Sequence, residues 1–191
     1  MIKTGTATVV KHTGSHYLLS ELPEWNLFPA VIRGKIRLKG GSSTNPVAVG
    51  DKVDYSIDLD AAEPMGNIEA IHPRSNYIIR RSANLSRESH IIASNLDRVF
   101  LIVTMAFPEV KRAFVDRFLV TCEAYRIPVV IVINKTDLTR EFMQEQTEDF
   151  EKIYRGAGYE VMEVSARTGE NIEALRDMCR DSVSLFSGVS G

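Results

Sequence analysis

The stretch Val129-Val130-Ile131-Val132-Ile133-Asn134-Lys135-Thr136-Asp137 decides the fold of the second half of this 191-residue chain. Its first five residues are apolar and β-branched, which is typical of a strand that is buried on both faces inside a parallel sheet. The polar tetrapeptide that follows therefore lies where the strand ends, at the edge where open α/β sheets bind their ligands. An amide, an ammonium and a carboxylate thus meet at a predicted binding edge.

The side chains of Asn134, Lys135 and Asp137 match the hydrogen-bonding groups of guanine. An ionised Asp137 can accept from the adjacent N1–H and N2 amine, and the Asn134 amide and a backbone N–H suit the O6 and N7 acceptors. The aliphatic stem of Lys135 can lie along a face of the base while its ammonium reaches phosphate. Adenine would leave the Asp137 carboxylate unpaired at a cost of about 1–3 kcal/mol, so the tetrapeptide predicts guanine selectivity.

A second strand, predicted at residues 159–164 from its alternating pattern, delivers a loop to the same edge of the sheet. This loop begins with Ser165 and Ala166, and a small residue here lets a backbone N–H approach guanine O6. The residues predicted to bind guanine are Asn134, Lys135, Thr136, Asp137, Ser165, Ala166 and Arg167.

From Asp97 onward, strands alternate with helices, which is typical of a doubly wound α/β sheet. The predicted strands are 99–103, 129–133, 159–164 and 183–186, and the predicted helices are 110–125, 141–154 and 170–179. The last strand leads into Gly188, Val189, Ser190 and Gly191, which have the spacing that begins a phosphate-binding loop. The lysine and the hydroxyl residue that complete such a loop are not in the sequence, so we predict no catalytic residue in this chain.

Residues 1–72 show short strands separated by turn-forming residues. The predicted strands are 6–11, 16–20, 31–39, 52–59 and 66–71. Five strands in this length predict an all-β barrel of the oligonucleotide/oligosaccharide-binding (OB) kind, with an SH3-like barrel as the alternative. Three aromatic residues, Tyr17, Trp25 and Phe28, are candidates either for stacking on bases or for the barrel core.

The third predicted strand places Arg33, Lys35, Arg37 and Lys39 on one face. Positive charges that recur about every 6.6–6.8 Å can follow a phosphate backbone, so these residues are candidates for RNA binding. The alternative is an ordinary solvated sheet face.

Charge is unevenly distributed along the chain. Residues 73–126 carry nine basic and five acidic side chains, whereas residues 127–191 carry seven basic and twelve acidic ones. A polyanion is therefore expected to contact the earlier regions and not the last one. Residues 73–95 form a predicted basic connector between the barrel and an α/β domain at 96–191, and Arg80 and Arg81 are further RNA-binding candidates unless the connector is an ordinary linker.

The sequence shows no pattern of a secreted, membrane or metal-binding protein. The two cysteines fall in separate helical patterns, which indicates a reduced, cytoplasmic chain. No apolar run is long enough to cross a membrane, and the N-terminus does not resemble a signal peptide. The four histidines lack the spacing of metal ligands, so no metal site is predicted.

The order of these motifs resembles a known family. In ordinary GTPases the phosphate loop precedes the guanine motifs, whereas here the guanine motifs come first, behind an OB-like barrel. This order resembles the circularly permuted GTPases of bacterial small-subunit biogenesis, the ribosome small-subunit-dependent GTPase A (RsgA) family. The residues that carry the resemblance are Arg33-Gly34-Lys35, Val49-Gly50-Asp51-Lys52-Val53, Pro73-Arg74, Ala93-Ser94-Asn95-Leu96-Asp97, Asn134-Lys135-Thr136-Asp137, Ser165-Ala166 and Gly188.

The resemblance implies a GTPase that binds GTP and GDP, docks on 16S rRNA of the 30S subunit, and hydrolyses GTP in late subunit maturation when the ribosome stimulates it. It also implies Mg²⁺ and a structural Zn²⁺, whose ligands lie outside this sequence. The expected fold is an N-terminal OB-like barrel followed by a partial, circularly permuted P-loop GTPase domain. Because the sequence ends inside the phosphate loop, we expect a truncated chain that is inactive alone and that self-associates, swaps segments or is marginally stable. The full-length protein is expected to be a monomer.

Two other functions are compatible with the residues. One is a non-enzymatic RNA-binding module whose α/β part is a scaffold, and the other is a GTPase that acts on a different RNA or ribosomal target. Guanine selectivity separates the GTPases from the RNA-binding module, and co-sedimentation with 30S or 50S particles separates the two GTPases.

Overall fold

A computed structural model describes residues 1–32, 47–81 and 89–189, and for residues 80, 81, 89 and 90 it describes the backbone alone. The chain divides into two compact units, Met1–Asn95 and Leu96–Gly191.

The first unit is built on a closed barrel of five strands. Their order around the barrel is β1-β2-β3-β5-β4; β3 and β5 are parallel and the other neighbours antiparallel. Alternate residues point inward, so that Val53, Tyr55 and Ile57 of β4 lie in the barrel core. The OB-like barrel predicted from the sequence is confirmed. The strands are β1 (Ile2–Thr13), β2 (His16–Ser20), β3 (Leu27–Ile32), β4 (Lys52–Asp58) and β5 (Gly66–Ile71).

The third strand differs from its predicted position. The sequence predicts it at 31–39, whereas β3 begins at Leu27, and the structure describes it as far as Ile32. Its partner β2 fixes this register, because Ser20 pairs with Leu27 and His16 with Val31. The charged comb Arg33, Lys35, Arg37 and Lys39 lies outside the described residues.

Two further strands occupy the segment 73–95, for which the sequence predicts a basic connector. They are β6 (Tyr77–Arg81) and β7 (Ser89–Ser94), which pair in antiparallel fashion. A bridge between Val49 and Ala93 joins β7 to the chain just before β4. This segment is therefore part of the first compact unit.

The second unit is a four-stranded parallel sheet in the order β10-β9-β8-β11, with helices between the strands. The helices are α1 (Arg112–Ala124), α2 (Thr136–Thr139), α3 (Gln144–Gly156) and α4 (Ile172–Met178). The strands are β8 (Arg98–Val103), β9 (Val129–Ile133), β10 (Glu160–Glu163) and β11 (Ser184–Gly188).

All five residues of β9 are buried, as its continuous run of apolar residues predicts. On one face of the sheet, Phe100, Val130 and Val132 form a core cluster that α4 helps to cover through Ile172 and Leu175. Burial on both faces makes β9 the rigid centre of the unit, and the polar tetrapeptide begins directly at its end.

The structure has a short helix that the sequence does not predict, and the helix after it begins three residues later than predicted. The sequence predicts a helix over 141–154, whereas the structure has the single-turn helix α2 and a longer helix α3 that begins at Gln144. Backbone N–H groups of Phe142 and Met143 bond to the Thr139 carbonyl at 3.2 and 2.8 Å, so a turn separates the helices. The short helix is important because it carries Asp137.

Candidate guanine-binding site

The candidate site lies at the carboxyl edge of the parallel sheet. Strands β9 and β10 are in register, with Ile133 opposite Glu163, so Asn134 and Val164 leave the sheet at the same level. The Asn134 N–H donates to the Val103 carbonyl at 2.8 Å, and the Val164 N–H donates to the Ile133 carbonyl at 2.8 Å. These bonds extend the ladder by one residue and fix the start of both loops.

Asn134 and Asp137 both contact the loop that follows β10. The Asn134 Oδ1 atom accepts from the Ala166 N–H at 3.1 Å, and the Asp137 Oδ1 atom accepts from the Ser165 hydroxyl at 2.7 Å. Asp137 is exposed, whereas Ser165 is fully buried. Within residues 1–32, 47–81 and 89–189, no donor bonds to the Asp137 Oδ2 atom, so this oxygen is open to an incoming ligand.

Lys135 adopts a left-handed backbone conformation, with φ of 68°, just before α2. Its ammonium, which the sequence predicts to reach phosphate, donates to the Phe107 carbonyl at 2.5 Å. This bond holds the aliphatic stem between the β8 and β9 loops. For a residue other than glycine, the left-handed backbone conformation costs about 1–2 kcal/mol of conformational free energy. The surrounding hydrogen bonds offset this cost.

Thr136 and Arg167 have different environments. Thr136 is 2% exposed, and its hydroxyl donates to the Val164 carbonyl at 3.0 Å. Arg167 is exposed, and its side chain makes no hydrogen bond to the described part of the chain. The structure thus gives Thr136 a role in joining the two loops and leaves Arg167 at the rim.

Two residues that the sequence analysis missed also join these loops. The Glu170 carboxylate accepts from Arg140 Nη2 at 2.6 Å and from the Thr136 hydroxyl at 3.3 Å. The bond to Glu170 raises the pKa of Arg140. Glu170 lies 30 residues from Arg140 in the chain, so local sequence patterns carry no signal for this contact.

A cavity of about 200 Å³ borders α2 and α3. Burial raises the pKa of Glu163 at its wall, and the nearby carboxylate of Glu151 raises that pKa further. The cavity is lined by Thr139, Arg140, Gln144, Thr147, Glu148 and Glu163.

The predicted start of the phosphate loop is described only in part. Gly188 is the last residue of β11, and a Cβ atom there would lie 2.7 Å from the Ile102 carbonyl oxygen. The pairing of β11 with β8 therefore requires glycine at this position. Val189 is 47% exposed, and Ser190 and Gly191 lie outside the described residues.

The charged RNA-binding candidates lie outside the residues whose side chains the structure describes. Arg80 and Arg81 belong to β6, but their side chains are not described. Of the three aromatic candidates, Tyr17 is buried and Phe28 packs against Tyr55 with ring centroids 4.8 Å apart. Trp25 is 67% exposed, so its ring is available to a partner.

The described residues contain neither a cluster of metal ligands nor a membrane-spanning helix. No group of three or more His, Cys, Asp or Glu side chains there has the arrangement to hold a metal ion. None of the helices described is both long and apolar enough to span a bilayer.

The family model of the RsgA GTPase matches residues 71–191. The chain is 45% identical over 186 residues to the small ribosomal subunit biogenesis GTPase RsgA of Flavobacterium psychrophilum. The aligned region covers 97% of this chain and 57% of the relative. It is 44% identical over 183 residues to the protein of the same name from Bacteroides fragilis, covering 96% of this chain and 58% of that protein.

Solved structures show the same fold. YjeQ from Thermotoga maritima superposes with a TM-score of 0.77 at 29% identity, covering 99% of this chain and 62% of that one. YloQ, described as a circularly permuted GTPase, gives a TM-score of 0.73 at 25% identity, covering 99% and 61%. The chain thus spans somewhat more than half the length of the relatives that it matches. On the family match and the shared fold, the chain belongs to the RsgA GTPase family.

Proposed function

We propose that this chain is the barrel and guanine-recognition part of a GTPase that acts in small ribosomal subunit biogenesis. The observation that carries the proposal is that Asn134 and Asp137 both bond to the loop after β10, at the carboxyl edge of the sheet, with the Asp137 Oδ2 atom open. In the proposed division of the chain, residues 1–72 are a barrel that binds RNA, residues 73–95 are a basic connector, and residues 96–191 are the part that binds guanine.

Asp137 is the residue proposed to distinguish guanine from adenine. Its carboxylate can accept from both N1–H and the N2 amine, while the Ser165 hydroxyl holds Oδ1 at 2.7 Å. Guanine O6 would compete with the Asn134 Oδ1 atom for the Ala166 N–H. Adenine offers no adjacent donor pair, so its binding would leave the carboxylate desolvated and unpaired.

The test is the substitution Asp137→Asn in the 191-residue chain. An amide replaces one acceptor by a donor, which opposes the N2 amine of guanine but suits the O2 oxygen of xanthine. We expect the affinity ratio of GDP to XDP to fall by about tenfold or more, since a bidentate base contact contributes about 1–3 kcal/mol of discrimination. Titration with fluorescent derivatives of GDP, XDP and ADP measures the ratio.

The matched control is Asp177→Asn, which changes an exposed aspartate on α4 that pairs with Arg180 at 2.6 Å. It should leave the ratio unchanged. A wild-type chain that binds ADP as tightly as GDP would contradict guanine recognition and would favour the RNA-binding module without enzymatic activity.

The proposal also includes the activity and partner of the whole protein. The relatives' names associate them with GTPase activity and the small ribosomal subunit. We infer GTP hydrolysis by the full-length protein, with GTP and GDP as ligands, and action on ribosomes in the cytoplasm. We further infer 16S rRNA contact through the barrel, with Arg33, Lys35, Arg37, Lys39, Arg80 and Arg81 as the candidate residues.

Co-sedimentation tests this partner. The chain should pellet with 30S particles rather than 50S particles, and its binding should weaken as salt rises because phosphate contacts release counterions. Equal binding to both particles would favour a GTPase with another ribosomal target.

A further inference from the structure

Glu170 holds both ends of the short helix that carries Asp137. Its two carboxylate oxygens have different partners: Oε2 accepts from the Thr136 hydroxyl at 3.3 Å, and Oε1 accepts from Arg140 Nη2 at 2.6 Å. Thr136 is the first residue of α2, and Arg140 is its C-cap. One side chain therefore fixes the start and the end of a single turn of helix.

The backbone of Glu170 holds the other partner of Asp137. The Glu170 carbonyl accepts from the Ser165 N–H at 3.1 Å, and these two residues form an isolated antiparallel bridge. The Ser165 hydroxyl in turn donates to Asp137 at 2.7 Å. A closed ring of contacts thus runs from Glu170 through Ser165 to Asp137, along α2, and back to the Glu170 carboxylate.

This ring differs from an ordinary surface ion pair. Arg140 and Glu170 are partly exposed, with 56% and 35% of their side chains accessible, so their attraction alone is screened by water. The Thr136 end is buried, however, and its hydroxyl is also shared with the Val164 carbonyl at 3.0 Å. Loss of the carboxylate would leave the bonds of Thr136 to Val164 and of Ser165 to Asp137 but would release the Arg140 end of α2, and a helix of only four residues has few internal hydrogen bonds to hold that end in place.

We propose that Glu170 is a positioning residue for guanine selectivity, holding Asp137 where its carboxylate meets both N1–H and the N2 amine. This inference rests on the proposed guanine recognition. Glu170 does not touch the base. It acts by keeping α2 and the Ser165 loop together, so its loss should weaken the contact that depends most on the angle of the carboxylate.

The experiment compares GDP with IDP, whose base lacks the N2 amine and keeps N1–H and O6. The ratio of their affinities isolates the second hydrogen bond of Asp137, and a general loss of stability would not change it. The variants of the 191-residue chain are Glu170→Ala, Arg140→Ala and the double variant. The matched control is Glu173→Ala, which removes a glutamate that pairs with Arg176 at the same 2.6 Å distance but lies on α4.

We expect Glu170→Ala to lower the GDP to IDP affinity ratio by about fivefold or more, the effect of weakening one hydrogen bond to a charged group. Arg140→Ala should lower the ratio less. The double variant should be no worse than Glu170→Ala alone, because both residues belong to one ring. Glu173→Ala should keep the ratio within twofold of the wild-type value.

The outcomes separate this inference from the proposed function. A wild-type chain that does not prefer GDP to ADP would contradict guanine recognition itself. A wild-type chain that prefers GDP, with Glu170→Ala and Arg140→Ala variants that keep the wild-type GDP to IDP ratio, would overturn only the role of Glu170. Circular dichroism checks folding, and if Glu170→Ala does not fold, the exposed Arg140→Ala variant decides the question.

Discussion

The substitution Arg74→Ala should strongly destabilise the barrel unit, because it removes the partner of a buried charge. The Asp51 side chain is completely buried, and its carboxylate accepts two bonds from Arg74, at Nε and Nη2, each 2.6 Å long. It also accepts from the Ser94 hydroxyl at 2.6 Å and from the Ala48 N–H at 2.8 Å. After the substitution, Asp51 keeps the two neutral donors and loses its only charged partner in the described ranges.

The expected magnitude follows from the burial of Asp51. Removal of one member of a buried ion pair costs about 3–5 kcal/mol, because the remaining charge is left uncompensated. A domain of this size has a total free energy of unfolding of about 5–15 kcal/mol. The variant should therefore lose at least a fifth of its stability and can lose most of it.

Urea denaturation followed by circular dichroism measures the loss for the chain. Hydrogen exchange locates it, because two amides are held by the same cluster: the Val9 N–H donates to the Asp51 carbonyl and the Ser94 N–H to the Val49 carbonyl, both at 2.9 Å. Both amides should lose protection in the variant before the amides of β9 do.

Lys3→Ala is the control within the same unit. Lys3 pairs with Glu21 at 2.7 Å, a distance close to that of the Asp51 pair, but the side chains are 45% and 39% exposed. Water screens such pairs, so the denaturation midpoint should move little. The uncompensated charge is not the cause if Arg74→Ala and Lys3→Ala shift the denaturation midpoint equally. It is also not the cause if the double variant Asp51→Ala/Arg74→Ala loses as much stability as the two single variants added together.

Two further substitutions have defined outcomes. Gly50→Ala should destabilise the chain by more than the roughly 1–2 kcal/mol that a left-handed backbone costs an alanine, because a Cβ atom would lie 2.1 Å from the Ser94 carbonyl oxygen. Gly14 is also left-handed but has open space around it, so Gly14→Ala measures the backbone cost alone. Urea denaturation compares the two variants. Glu163→Gln should stabilise the chain at neutral pH, because burial raises the pKa of Glu163 and ionisation opposes folding. This gain in stability should vanish as pH falls below the ordinary glutamate pKa, because Glu163 is then protonated in both the folded and the unfolded chain. An equal gain at all pH values, or the same gain from Glu160→Gln on the same strand, would show that ionisation of Glu163 is not the cause.

The sequence predicted the elements whose signal is local. The apolar run of β9 defines a strand buried on both faces, and the tetrapeptide after it lies at the carboxyl edge, as expected. The closed barrel was also predictable, because five strands in a short length have few ways to remove their edges. In each case the pattern along a few residues is enough to specify the environment.

What the sequence did not predict depends on contacts between distant residues. The short helix α2 is held by Glu170, more than 30 residues away from Thr136, and this contact leaves no trace in the local pattern. The strand β6 was missed because its partner β7 lies beyond a polar run that is typical of a linker. The register of β3 depends on β2, so its propensity alone placed the start of the strand at Val31 instead of Leu27.

Five residues from motifs outside the proposed guanine site form one cluster of the barrel unit: Gly50, Asp51, Arg74, Ser94 and Asn95. Asn95 donates to the Gly50 carbonyl at 2.9 Å and accepts from the Ser75 N–H at 2.9 Å, so it joins the segments that meet around Asp51 and Arg74. These residues therefore maintain the fold, whereas Asn134 and Asp137 are the residues that we propose to read a base. Substitutions in the first group should change the free energy of unfolding and leave the GDP to IDP ratio of the folded fraction intact. Substitutions of Asp137 should do the reverse, because its side chain is exposed and one of its oxygens is open.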